Sequence, residues 1–64
     1  MNILSGEIVE IYVEDGITNA KVLVGTLFMR VPLLFLPQAK VGDTVLIESG
    51  VAISRVEDEE LQEK

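Results

Sequence analysis

Residues 41–54, VGDTVLIESGVAIS, carry the clearest structural signals in this 64-residue sequence. Gly42-Asp43 predicts a turn, because glycine tolerates backbone angles that the neighbouring β-branched residues avoid. Residues 44–47 are β-branched or apolar throughout, which is typical of a strand buried on both faces or closed in a barrel. Ser49-Gly50 predicts a tight hairpin, and residues 51–53 predict the returning strand.

Ser54 is predicted to start a helix. It lies three residues before Glu57, the spacing of a capping box in which the serine and the glutamate each satisfy a backbone N–H group. The following residues, EDEELQEK, are strongly acidic, and their carboxylates would lie near the positive end of a helix dipole. The sequence therefore predicts a short acidic helix over about residues 55–63.

Composition narrows the class of protein. The chain has eleven acidic and five basic residues, a formal net charge of −6, 48% hydrophobic residues, and neither cysteine nor histidine. Disulfides and metal sites built on thiolate or imidazole are therefore excluded. Charge repulsion argues against nucleic acid as a partner. No apolar run approaches the roughly 20 residues that span a membrane, and no signal peptide is evident. We expect one soluble cytoplasmic domain over residues 1–64.

The first strand is predicted over residues 6–14. Apolar and polar residues alternate there, which is the period of a half-buried strand. We expect Val9, Ile11 and Val13 to share the buried face, and Ile8 to lie on the opposite, mostly solvated face.

Turn signals divide the middle of the chain into two further strands. Asp15-Gly16 predicts a hairpin, because glycine supplies the positive φ that such a turn needs. Residues 17–24 form the predicted second strand, Gly25-Thr26 breaks it, and residues 27–31 form the third. Pro32 cannot donate to a ladder, so it should end this strand or lie on a sheet edge.

Five short strands with tight turns indicate an all-β fold. The best match is a small five-stranded OB-like barrel over about residues 3–54, followed by the short C-terminal acidic helix. An SH3-like barrel is the alternative, because the sequence does not determine the strand order. Residues 33–37, LLFLP, are too apolar for an ordinary loop, and we expect a turn or short helical segment that plugs one end of the barrel.

The sequence lacks residues suited to catalysis. Ser5, Ser49 and Ser54 have no histidine to activate them, and Ser49 and Ser54 have predicted turn and cap roles. The acidic run near the C-terminus is typical of a solvated helix face. No glycine-rich phosphate loop is present. We expect a protein that is not an enzyme and has no cofactor of its own.

Two apolar segments are candidates for contact with a partner. In the third strand Leu27 and Met29 can point inward while Phe28 points outward beside further apolar residues, which would form a contact patch. The alternative is that this whole region belongs to the core. Residues 1–5 are apolar without turn chemistry, so they form either an extra edge strand or an arm that becomes ordered on a partner.

Residues 41–54 and the acidic tail resemble the HypC/HupF hydrogenase-maturation chaperones, which share the glycine-aspartate, strand, glycine and Ala-Ile-Ser pattern. Residues 6–11, GEIVEI, are similar to the family's opening strand, and Arg30-Val31, Leu33 and Leu36-Pro37 match a later stretch. The resemblance covers nearly the whole chain. It implies a small barrel that acts as a cytoplasmic, non-enzymatic chaperone in [NiFe]-hydrogenase assembly. It also implies a scaffold protein and the large-subunit precursor as partners, and help in delivering iron that carries cyanide and carbon monoxide.

The chain departs from that family at the residues credited with the metal chemistry. Asn2 stands where the family has its essential cysteine, Glu48 stands where it has a histidine on the fourth strand, and Ser5 replaces a nearby proline. An amide and a carboxylate are hard oxygen donors that match low-spin iron poorly. Asn2 and Glu48 should therefore not inherit a ligand role.

We therefore expect a HypC-like adaptor in metalloenzyme maturation that works by protein–protein contact without holding the iron. The alternative is a divergent β-barrel used as a structural or oligomerising module. The expected partner is a hydrogenase large-subunit precursor, a maturation scaffold protein or a second copy of the chain. The expected contact residues are Met1, Asn2, Ile3, Leu4, Phe28, Arg30, Phe35 and Glu48.

Overall fold

The computed structural model describes residues 3–56, which form five antiparallel strands in one sheet. In chain order the strands are β1 (Ile3–Glu14), β2 (Ile17–Val24), β3 (Leu27–Pro32), β4 (Thr44–Glu48) and β5 (Val51–Val56). Their order in the sheet is β3-β2-β1-β4-β5. The all-β prediction is confirmed, and the long strand β1 is central because it pairs with both β2 and β4.

The two edge strands of the sheet, β3 and β5, contact one another. Within residues 3–56 they form no ladder with each other, so the sheet is curved but open, and closure of the predicted barrel is not shown. Pro32 ends β3 on the sheet edge, as its missing N–H group requires.

Strand β5 continues through residues that the sequence assigned to a helix. Ser54 pairs with Leu46, and Val56 pairs with Thr44. The predicted cap at Ser54 and a helix start near residue 55 are therefore wrong. The antiparallel ladder with β4 outweighs the local capping signal, since each pairing adds backbone hydrogen bonds and cross-strand contacts. The rest of the predicted helix, residues 57–63, lies outside the described residues.

Both predicted hairpins are confirmed, and their backbone angles explain their sequences. Asp15 and Gly16 have φ values of 55° and 78°, and Ser49 and Gly50 have 56° and 78°. Positive φ at both central residues is the requirement of a type I′ turn, whose twist matches that of the flanking strands. The strands β1–β2 and β4–β5 are therefore joined by the tightest connection available to them.

A β-bulge at Val9 reverses the predicted face of the part of β1 that precedes it. The register between β1 and β2 shifts between Ile8 and Glu10, so the side chain of Ile8 faces the core and is fully buried. After the bulge Ile11 packs against the core, whereas Val9 and Val13 are 38% and 67% exposed. The predicted faces are wrong for Ile8 and Val9, because a bulge adds one residue to the strand and breaks the period of two. Ile11 faces the core as predicted, and Val13, which follows the same alternation, is exposed beside the β1–β2 turn.

The segment between β3 and β4 covers the core. Leu33 is buried, and Leu36 and Ala39 pack against the core. Leu36 N–H donates to the Leu33 carbonyl and Ala39 N–H to the Leu36 carbonyl, which makes two successive turns rather than a helical segment. The prediction of a turn is confirmed, and the prediction that this segment plugs one end of a barrel stays a prediction.

The core combines residues from all five strands and this covering segment. Its buried members are Ile8, Ala20, Val22, Val31, Leu33, Val45, Ile47 and Ala52.

Candidate partner-binding site

The start of β1 and the end of β4 form an exposed surface at one end of the sheet, here called the N-terminal surface and defined by Ile3, Leu4 and Glu48. Ile3 pairs with Glu48, and Leu4 pairs with Ile47. Ile3 is 50% exposed and Leu4 is 41% exposed. Because successive residues of a strand face opposite sides of the sheet, this end carries exposed apolar side chains on both faces.

Among residues 3–56, no strand pairs with one backbone edge of this surface. Residues 3–6 pair with β4, whereas the ladder between β1 and β2 begins at Glu7. Residues 3–5 are therefore the first part of the central strand. The strand alternative is confirmed for these residues, but they do not form a separate strand at the sheet edge, because they pair with β4 as part of β1. An open strand edge presents unpaired N–H and C=O groups to any partner that approaches it. The predicted contacts Met1 and Asn2 lie outside the described residues.

A second exposed surface lies on the outer face of β2 and β3. We call it the β3 surface and define it by Lys21, Phe28 and Arg30. Lys21 pairs with Arg30, and the Lys21 ammonium lies 4.8 Å from the centroid of the Phe28 ring. Phe28 is 57% exposed, which confirms its predicted outward position.

The apolar stretch around β3 is therefore divided between core and surface. Met29 and Val31 face the core. Leu27, predicted to point inward, is instead 71% exposed, although its pair partner Val24 at the end of β2 packs against the core. Phe35, in the segment after β3, is 65% exposed.

The predicted contact residues do not converge on one site. Ile3 and Glu7 are four residues apart on β1, or about 13 Å, and β3 lies two strands from β1, or about 10 Å. Phe28 is level with Glu7, because both pair with Leu23. The N-terminal surface and the β3 surface are therefore separate contact areas.

Asp43 organises the turn that leads into β4, and sequence reasoning assigned it no partner. Its carboxylate accepts a hydrogen bond from the Lys40 backbone N–H at 3.0 Å and one from Arg55 Nη1 at 3.3 Å. The Lys40 ammonium lies 3.5 Å away. The Lys40 N–H first, and then the Arg55 and Lys40 cations, hold the pKa of Asp43 below its ordinary value of 3.8, against the opposing effect of burial.

The same turn is joined to the bulge in β1. Ile8 N–H donates to the Asp43 carbonyl, and Gly42 N–H donates to the Ile8 carbonyl, both at 2.9 Å. Gly42 has a φ of 98°, an angle that glycine adopts without strain. The glycine-aspartate pair is therefore a structural joint between the β3–β4 segment and the central strand.

The described residues do not fit a soft iron fragment. Within residues 3–56 no group of three His, Cys, Asp or Glu side chains could hold a metal ion. Glu48 is half-buried beside Ile3 and Val51, and its carboxylate is a hard donor. We therefore assign no step of iron chemistry to the side chains of residues 3–56.

These features define a class: a small acidic all-β protein whose exposed apolar and charged surfaces are suited to binding other proteins. The model of the HupF/HypC family matches residues 4–64. The chain therefore belongs to the HupF/HypC family. It is 34% identical to the hydrogenase maturation factor HypC of Synechocystis sp. (strain ATCC 27184 / PCC 6803 / Kazusa), an alignment that covers 94% of this chain and 82% of that protein.

Membership in this family of non-enzymatic maturation chaperones confirms that the chain is not an enzyme. No solved structure matches the chain. Among residues 3–56 no helix has the length and hydrophobicity needed to cross a membrane.

Proposed function

We propose that the chain is a HypC-like accessory chaperone or adaptor in [NiFe]-hydrogenase maturation, which acts in the cytoplasm by protein–protein contact without itself holding the iron. Family membership supports the pathway. We propose further that the curved sheet is an OB-like barrel, since β1 pairs with both β2 and β4 while β3 and β5 meet at the seam.

The observation that carries the proposal is the pairing of Ile3 with Glu48. Glu48, the position where the resemblance places the family's histidine, therefore lies opposite the residue that directly follows Asn2 in the sequence. Glu48 supplies a hard carboxylate where the family has its histidine, and the sequence has asparagine where the family has its cysteine. What this end of the sheet retains is exposed apolar area and an open strand edge, and both support docking of a hydrogenase large-subunit precursor or a maturation scaffold protein.

A matched pair of substitutions tests this proposal. Ile3→Glu places a charge on the N-terminal surface, whereas Ile17→Glu makes the same change at the start of β2. Ile3 is 50% exposed and Ile17 is 44% exposed, so neither variant buries a charge. With a tagged chain expressed in its native cell, we expect Ile3→Glu to lose a co-purifying hydrogenase precursor or scaffold protein, and Ile17→Glu to retain it.

Equal recovery with both variants would contradict the role of the N-terminal surface. Recovery of no such partner by the wild-type chain would contradict the proposed pathway. Deletion of residues 1–5 is a poorer test, because residues 3–5 pair with β4 and their removal would damage the fold as well as the contact.

A second candidate function is self-association as a structural module. The observation that favours it is the exposure of Leu27, Phe28, Leu34 and Phe35 around β3, each at least 57% exposed. Leu27 and Phe28 begin β3 and Leu34 and Phe35 follow its end, so they form two exposed apolar areas, and such areas mark interaction surfaces. Light-scattering mass of the purified chain distinguishes the two functions: a tight oligomer supports the module, and a monomer that captures a hydrogenase precursor supports the adaptor.

A further inference from the structure

Two basic side chains face each other on the outer surface of this acidic protein. Lys21 on β2 lies directly opposite Arg30 on β3. Like charges directly opposite in a sheet are unfavourable. On its other side Lys21 pairs with Glu10, which offsets one positive charge. Arg30 lies on the edge strand and is exposed, and within residues 3–56 its guanidinium makes no salt bridge or hydrogen bond. The row Glu10, Lys21 and Arg30 therefore carries one unbalanced positive charge.

An apolar contact area adjoins this charge. Phe28 precedes Arg30 by two residues, so both side chains project from the same face of β3. The Lys21 ammonium, 4.8 Å from the ring centroid, restrains the Phe28 ring by a cation–π contact. Glu10, Tyr12, Lys21 and Arg30 line a shallow cleft beside it. An exposed arginine next to an exposed aromatic ring is the composition of an interface hot spot.

We infer that the β3 surface binds an acidic segment of a partner protein, with one carboxylate on Arg30 and Lys21 and a neighbouring apolar side chain on Phe28. The inference is independent of the proposed function, because it rests on a different surface from the N-terminal one. A guanidinium presents a planar pair of donors that matches a carboxylate.

Charge complementarity selects this occupant. Glu10 lines the same cleft as the two cations, so the local net charge matches one carboxylate and disfavours a doubly charged phosphate. A long polyanion is disfavoured by the overall charge of −6. Addition of a strand to the edge of β3 is disfavoured because β5 contacts that strand. The outer face, rather than the strand edge, is therefore the docking surface.

The test uses the full-length ¹⁵N-labelled chain and an end-capped peptide of sequence GLQELQQG, which carries one carboxylate between apolar side chains. Control peptides carry glutamine or phosphoserine in place of the glutamate. We expect the acidic peptide to shift the backbone amide resonances of Lys21, Phe28 and Arg30. Arg30→Ala should weaken binding about tenfold, equivalent to about 1.4 kcal/mol. Lys40→Ala removes the same charge from a side chain that is 73% exposed in the β3–β4 segment, and it should change the affinity less than about twofold, because screening limits the effect of distant charges.

Several results would overturn the inference. Absence of binding at low ionic strength, or equal binding of the glutamine peptide, would show that the β3 surface does not recognise a carboxylate. Equal losses in Arg30→Ala and Lys40→Ala would indicate unspecific charge attraction. Tighter binding of the phosphoserine peptide would indicate a phosphate site instead. If replacing the glutamates of residues 57–63 with glutamine moves the Arg30 resonance without any peptide, the chain's own tail occupies this surface and no partner is needed.

Discussion

Asp43→Asn removes the negative charge from the joint between the β3–β4 segment and the central strand. The asparagine oxygen can still accept from the Lys40 backbone N–H, so the substitution keeps that hydrogen bond in its weaker, neutral form and removes the attraction to the two cations. The Asp43 side chain is 15% exposed, Arg55 is 34% exposed and Lys40 is 73% exposed. The Lys40 ammonium should therefore contribute little, and loss of the partly shielded Arg55 contact should dominate, for a total cost of about 1–2 kcal/mol.

Asp43→Ala should cost about 1 kcal/mol more than Asp43→Asn, because it also leaves the Lys40 N–H without its acceptor. A domain of this size has about 3–10 kcal/mol of stability in total, so both effects are measurable by urea unfolding. Asp15→Asn provides the matched control. Asp15 occupies the β1–β2 turn with a φ of 55°, an angle that asparagine also tolerates, and we expect its replacement to change the free energy of unfolding by less than about 0.5 kcal/mol.

The direction of the Asp43 pKa shift determines how the stability difference between the wild type and Asp43→Asn changes with pH. The folded-state pKa of Asp43 lies below its ordinary value of 3.8, so its charge stabilises the fold above that value, and the stabilisation is lost as the pH falls through the folded-state pKa. The stability difference between the wild type and Asp43→Asn should be constant near neutrality and shrink as the pH falls below 3.8. A difference that matches the Asp15→Asn control, or one that does not shrink in acid, would refute the reasoning.

Two further predictions concern β1 and are checked by the same unfolding measurement. A Cβ atom on Gly6 would lie 2.6 Å from the Leu23 carbonyl oxygen and 2.6 Å from Val22 Cγ1, so Gly6→Ala should destabilise the fold by about 1–3 kcal/mol through overpacking. An unchanged free energy of unfolding would contradict this close approach of β1 and β2. Ile8→Ala should cost about 2–5 kcal/mol, whereas Val9→Ala should cost less than about 1 kcal/mol. The reverse ranking would show that the bulge is misplaced.

Local turn chemistry explains which parts of the fold could be predicted from the sequence. Asp15-Gly16 and Ser49-Gly50 restrict the backbone through their own conformational preferences, so their hairpins required no knowledge of the rest of the chain. The predicted helix cap at Ser54 was wrong because its capping signal competes with a ladder to β4, and that ladder depends on the β4–β5 register. The bulge at Val9 was not predicted for a related reason, since it depends on pairing with β2 and on hydrogen bonds between the β3–β4 segment and Ile8.

The contact surfaces were only partly predictable for the same physical reason. The outward position of Phe28 followed from simple alternation along one strand. The pairing of Lys21 with Arg30 and the ion pair of Arg55 with Asp43 each join two strands or segments, and no spacing within one segment specifies them. The pairing of Ile3 with Glu48 likewise depends on the register of β1 with β4. Sequence patterns identified the residue types, and tertiary structure determined which of them meet.

The central claim is that this chain contributes protein-binding surface to hydrogenase maturation and no ligand to iron. Its most direct test is infrared spectroscopy, with iron analysis, of the chain purified anaerobically from its native cell, after the free chain has been separated from its complexes. Cyanide and carbon monoxide bands of an iron fragment should occur only in fractions that contain a hydrogenase precursor or scaffold protein. Stoichiometric iron with those bands in the free chain would contradict the claim.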